Sequence, residues 1–101
     1  PPVKVISGNR DTITDVDEGV LFLSTSVAND TLYLAANLTL DDFANVYIEN
    51  HRGGDLVIIA GATNNLNEAA NTTITLTTRK GTFMRCLGNV GGTVRFSILG
   101  Y

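Results

Sequence analysis

Apolar and polar residues alternate along most of this chain with a period of two. The pattern is plainest in the last third. There Ile74 and Leu76 fall between Thr73, Thr75 and Thr77, and Val94, Phe96 and Ile98 alternate with Thr93, Arg95 and Ser97. Successive side chains of a strand point to opposite faces, so this spacing predicts strands over 72–78 and 93–99. A strand over 82–87 lies between them, entered through Arg79-Lys80-Gly81. Gly88-Asn89 and Gly91-Gly92 supply the positive-φ positions that tight connections need.

Upstream the same reading applies. In residues 45–50 Val46 and Ile48 point one way and Asn45, Tyr47 and Glu49 the other. With residues 51–55 as a turn, this stretch predicts a hairpin with the apolar run Leu56-Val57-Ile58-Ile59-Ala60. Short strands are expected at residues 31–34 and 38–40, and a turn or a single helical turn at Asp41-Asp42-Phe43-Ala44, with an aspartate in capping position. Residues 61–70 read as a surface loop, polar and with few anchors. Helical periodicity is absent from every longer stretch. The pattern predicts an all-β fold, a small antiparallel β-sandwich or barrel, in one domain spanning residues 15–101.

Residues 1–14 read as an extended N-terminal arm. Pro1-Pro2 favours polyproline or β geometry, Val3 and Val5 flank Lys4, and Ser7-Gly8-Asn9-Arg10 breaks the pattern. So short a run is stable mainly along a sheet edge, its own or a neighbour's. Val20-Leu21-Phe22-Leu23 and residues 56–60 are apolar on both faces, and such strands are covered on both sides. One cover is the domain's own core. The other is expected to be a second subunit, with Leu21, Leu23, Val57 and Ile59 at the seam.

Composition narrows the function. The net charge of −3 argues against nucleic acid, and no polybasic segment addresses an anionic membrane. No apolar run approaches the ~20 residues of a membrane helix, and the first residues lack the layout of a signal peptide. The expectation is a soluble chain, cytosolic or part of a particle assembled in a cytosol. Cys86, the only cysteine, reads as a small core residue. Three Asn-X-Thr triplets read as products of an Asn- and Thr-rich composition.

Catalytic chemistry finds no constellation. The acidic loop Thr14-Asp15-Val16-Asp17-Glu18-Gly19 lacks the glycine and the terminal glutamate of a calcium loop, so it reads as a solvated turn. His51 is the only histidine and sits in a turn. Ser24, Ser26 and Ser97 lack a nucleophile-elbow context, and the pairs Asp15/Asp17 and Asp41/Asp42 diverge rather than face each other. Arg79, Lys80, Arg85 and Arg95 form a modest basic cluster, and Arg85 and Arg95 share a face if their strands pair. A non-enzymatic chain without cofactor or metal is expected.

The succession TLYLAANLTL, NVYIENHRGGDLVIIAG, TTITLTTRKGTFMRCLG and GGTVRFSILGY resembles a small β module of tailed-bacteriophage virion proteins, over residues 30–101. That module recurs in tail-fibre and spike tips and in capsid decoration (cement) proteins, typically as homotrimers. The resemblance implies a homotrimeric viral structural protein on the capsid surface, assembled in the host cytoplasm, with itself and the major capsid protein as partners. Its arm residues Pro1, Pro2, Val3, Lys4, Val5 and Ile6 would clamp the capsid. The family's last strand often carries a tryptophan where this chain has Val94, so Phe96 and Tyr101 are the expected substitutes at the seam. The alternative is a receptor-binding tip of a tail fibre or spike. There the loops at 51–55, 61–71 and 88–92, with Tyr33, Tyr47 and Tyr101, would touch a host glycan or protein receptor.

Overall fold

The computed structural model describes residues 2–41 and 43–101. Among them are ten strands and no helix: β1 (Val3–Val5), β2 (Arg10–Ile13), β3 (Leu21–Ser24), β4 (Thr31–Leu34), β5 (Asn45–Asn50), β6 (Leu56–Ala60), β7 (Asn64–Leu66), β8 (Thr72–Leu76), β9 (Lys80–Val90) and β10 (Thr93–Ile98). They form a six-stranded sheet, β1-β3-β5-β9-β10-β7, and a four-stranded sheet, β2-β4-β6-β8.

As far as β6 the chain swaps sheet at every strand. Each return runs parallel to the strand before it, β1 to β3 to β5 on one side and β2 to β4 to β6 on the other. The polypeptide therefore winds around its own core in successive turns. β8 and β9 then lie antiparallel on β6 and β5, β10 folds back on β9, and β7 pairs in parallel with β10.

The all-β expectation holds, but the antiparallel one is corrected: both sheets are mixed. The hairpin expected over residues 45–60 does not form, because residues 51–55 carry the chain from one sheet to the other. Packed sheets stand about 10 Å apart, a span that five residues cross with ease. Alternation encodes inward against outward and is silent about which layer a strand joins. In the same way, the expected loop at 61–70 holds β7, anchored by buried Leu66 beside Phe96 of β10. Residues 38–40 are not a strand, although Leu38 and Leu40 are buried.

Residues 2–13 of the expected arm lie along the domain's own sheets. The N–H of Leu21 donates to the Pro2 carbonyl at 2.7 Å, and that of Ile6 to the Leu23 carbonyl at 2.9 Å. Ile6 and Ile13 are buried in the core. Pro1 lies outside the described residues, as does Asp42 of the expected capping turn. β1 and β2 are each an edge of a sheet. At β2 the Asp11 carboxylate accepts the N–H of Thr12 at 2.8 Å, a local bond that occupies a group otherwise open to a foreign strand.

The inward rows make the core, with Phe22, Ile48, Met84 and Phe96 from one sheet and Leu32, Leu56, Ile58 and Leu76 from the other fully buried. Each such side chain contributes about 1.5–3 kcal/mol by leaving water. Asparagines hold the corners. Asn29 accepts the N–H groups of Thr25 and Ser26 and donates to the Gly8 carbonyl, tying one winding turn to the previous one. Asn50 donates to the Gly54 and Leu76 carbonyls, both at 2.9 Å, and accepts the N–H of Arg52. The acidic loop is anchored too. Asp17, expected to be solvated, is buried and accepts the N–H and hydroxyl of Thr14 at 2.7 and 3.2 Å, with Lys4 Nζ 3.8 Å away.

Candidate functional site

The outward rows of the six-stranded sheet form the most distinctive surface. Register places Val3, Leu21, Tyr47 and Phe83 side by side across β1, β3, β5 and β9. The next row reads Val5, Leu23, Glu49 and Gly81. Val3 and Val5 are more than half exposed, at 57% and 54%, and Tyr47 and Phe83 are 38% and 42% exposed. The two aromatic rings sit 6.4 Å apart at a tilt of 53°, within the range of favourable ring pairs. Large apolar side chains in contact with one another and open to water mark an interaction surface.

Beside the aromatic pair the face dips into a groove of about 310 Å³. Tyr47, Glu49 and Leu21 line it from the sheet, Arg79 from the turn before β9, Lys80 and Gly81 from the first residues of β9, and His51 from just beyond β5. Gly81 keeps it open, since a Cβ there would stand 3.2 Å from Glu49 Cγ. His51 Nε2 lies 2.8 Å from Glu49 Oε1 at the groove's lip. Arg79 holds a left-handed backbone, φ 62°, which costs a non-glycine residue about 1–2 kcal/mol.

The four-stranded sheet has a different exterior. Its outward rows are Arg10, Thr31, Val57 and Thr75, then Thr12, Tyr33, Ile59 and Thr73. The Arg10 guanidinium covers the Tyr33 ring at 4.1 Å.

The residues expected at a seam are thereby divided. Leu21 and Leu23 lie on the outer face of one sheet and Val57 and Ile59 on that of the other, all half-buried. Phe96 is wholly inside the chain's own core, and Tyr101 is exposed beyond β10. Of the expected clamp, Pro2, Val3, Lys4 and Val5 follow the free edge while Ile6 turns inward. The tyrosines named for a receptor tip are not brought together: Tyr33 and Tyr47 occupy opposite outer faces, and Gly88-Asn89 is part of β9 rather than a loop.

Arg85 and Arg95 do share the outer face, flanking the aromatic pair and the far edge respectively. Arg85 stacks over Phe83 at 5.5 Å, and Arg95 is paired with Glu68. Cys86 is buried, its Sγ 3.5 Å from the Leu40 carbonyl. On the loop side Glu18 is held above the ordinary glutamate range, first by desolvation, then by the charge of Asp41 and a hydrogen bond with it. The raised value means that lowering the pH through it relieves the folded state.

The groove was not legible as a unit, because Tyr47 and Arg79 are far apart in the chain. The one signal was Arg-Lys-Gly in a turn between two strands, where Asn or Gly is the usual residue.

The chain matches no protein-family model, no curated protein and no solved structure in the comparisons made.

Proposed function

We propose that the chain is a viral structural protein, a decoration protein that sits on the outside of a capsid as a homotrimer and works by contact alone. One observation carries the reading: the outer face of the six-stranded sheet presents Val3, Val5, Leu21 and Leu23 as a contiguous apolar patch at its β1 side, while the interior is already filled by Phe22, Ile48 and Met84. These outward side chains are surplus to the fold. Covering them with another copy would remove their apolar area from water at about 25 cal/mol per Å².

Because Leu21/Leu23 and Val57/Ile59 occupy different outer faces, the seam in this reading is head-to-tail. The patch of one copy packs on Val57 and Ile59 of the next, and a ring of three closes when each step turns by a third of a circle. The major capsid protein is then met along β1. Lys4 points its backbone toward β3, so the N–H and carbonyl groups of Val3 and Val5 face outward and accept a capsid strand by main-chain hydrogen bonds.

The test is assembly mass by sedimentation, followed by occupancy on purified capsids. A trimer that binds capsids, and that Leu23→Asp converts to a folded monomer, is the expected result. A monomer at working concentration, or a trimer indifferent to capsids, would sink the reading.

A second reading, a receptor-binding tip of a tail fibre or spike, draws on the groove. An exposed tyrosine beside two cations suits a ligand better than a packing seam. Adsorption of the isolated protein to host cells, competing with infection, distinguishes it from decoration.

A further inference from the structure

We infer that the groove between β5 and the turn into β9 binds an acidic sugar, with its carboxylate on Arg79 and Lys80 and its ring on Tyr47. The inference goes beyond the assembly reading and does not depend on it.

The charges single out this place. The chain has seven lysines and arginines. Five are engaged within the fold: Lys4 with Asp17, Arg10 on Tyr33, Arg52 with the Val27 and Asp55 carbonyls, Arg85 on Phe83 and Arg95 with Glu68. Among the described residues, Arg79 and Lys80 are the two side chains left without an ion pair, hydrogen bond or ring partner. They are adjacent, and both line the groove. In a chain of net charge −3, two idle cations side by side are a local exception that suits an anion.

The backbone supports the assignment. Arg79 occupies a left-handed position, φ 62°, where glycine or asparagine would be easier. Gly81 keeps the floor clear of a side chain that would crowd Glu49.

The rest of the lining selects among anions. Glu49 places a negative charge in the same groove, opposing a dianionic phosphate while accepting from hydroxyl groups. His51, 2.8 Å from that carboxylate, adds a second polar group at the lip. The Tyr47 ring and Leu21 offer an apolar platform to the C–H face of a pyranose. One carboxylate, several hydroxyls and an apolar ring face together describe a uronic or sialic acid.

The experiment titrates the intact protein with glucuronate and N-acetylneuraminate, and in parallel with glucose and inorganic phosphate, following amide shifts by NMR. Saturable binding of an acidic sugar is expected, with glucose about tenfold weaker or more, as the loss of a charged hydrogen bond implies, and phosphate also weaker because it meets the Glu49 carboxylate and offers no ring face to Tyr47. Arg79→Gly should abolish that binding and at the same time raise Tm, because glycine relieves the left-handed position. Lys80→Ala should weaken binding, and Arg85→Ala, outside the groove, should leave it unchanged. Leu23→Asp should break assembly and keep binding, which separates this site from the seam. Equal binding of glucose, tighter binding of phosphate, no saturation by either acid at millimolar concentration, or unaltered binding in Arg79→Gly would each overturn the inference.

Discussion

On the outside of the four-stranded sheet, threonines separate the larger apolar groups: Val57 stands between Thr31 and Thr75, and Ile59 next to Thr73. On the six-stranded sheet, Val3, Leu21, Tyr47 and Phe83 follow one another with nothing polar between them. Both faces come from the same two-residue alternation and both carry valine, leucine or isoleucine side chains. What differs is contiguity. A threonine offers its neighbours a methyl group and offers water a hydroxyl, so the first face is hydrated at Thr12, Thr31, Thr73 and Thr75, and the adjacent pair Tyr33 and Ile59 is flanked by a threonine on either side. The second face is an uninterrupted apolar patch at β1 and β3 that merges into an aromatic pair and a charged groove. Its wetting costs more, and that imbalance is the physical basis for asking what covers it.

The comparison breaks first if the outward patch is needed by the fold itself. Phe22 and Leu23 are chain neighbours pointing opposite ways, one fully buried and the other half-buried. Phe22→Ala is expected to cost about 3–5 kcal/mol of unfolding free energy, the usual loss for an emptied aromatic site. Leu23→Ala should cost under about 1 kcal/mol in the dissociated chain. Urea denaturation of both variants measures the gap. Similar losses would mean that the patch belongs to the core.

Next in size is the effect on assembly. The double change Leu21→Asp/Leu23→Asp should weaken self-association by about 3 kcal/mol or more, two half-buried leucines being replaced by charges. Sedimentation reads this as loss of the proposed trimer, and far-UV circular dichroism checks that the strands persist. Val57→Lys tests the opposite face, with a smaller expected loss of about 1.5 kcal/mol. If the seam is head-to-tail, both variants dissociate. If only the leucine variant does, the patch meets its own image across a two-fold axis, and Val57 faces water in the assembly.

Strand positions were largely legible beforehand, and their partnerships were not. Val94, Phe96 and Ile98 point inward as the spacing required, and β5 and β6 begin and end where their apolar runs do. Register across sheets is set by winding, which brings Leu21 to Tyr47 and Thr31 to Val57 through crossings of the core that no local period encodes. Phe96 shows the limit well. An aromatic on a terminal strand is equally suited to a seam or a core, and here the parallel neighbour β7 extends the sheet beside it, with buried Leu66 next to Phe96 in the core. The corner asparagines were unreadable for a related reason: Asn29 and Asn50 look like turn residues, yet each is buried, satisfying carbonyls from another winding turn. Of the groove, its cations were visible as a cluster, but its pairing with Tyr47 depends on the antiparallel docking of β9 on β5.

The smallest effect sharpens the comparison most finely, since each face covers one aromatic ring with an arginine. Arg10 lies 4.1 Å from the centre of Tyr33, and Arg85 lies 5.5 Å from that of Phe83. A guanidinium over a ring at an exposed site contributes about 0.5–1 kcal/mol, falling with distance. Arg10→Ala should therefore cost more than Arg85→Ala, with both within about 1 kcal/mol by urea denaturation. The consequences for stickiness run the other way. Removing Arg10 bares a tyrosine whose row still contains Thr12 and Thr73, so the four-stranded face stays interrupted by hydroxyls. Removing Arg85 extends the apolar row of the other face by the flank of Phe83, which already adjoins Tyr47 at 6.4 Å. Binding of a hydrophobic dye should rise in Arg85→Ala and change little in Arg10→Ala. Equal rises would mean that threonines do not interrupt an apolar face as argued, and that the two exteriors differ in composition alone.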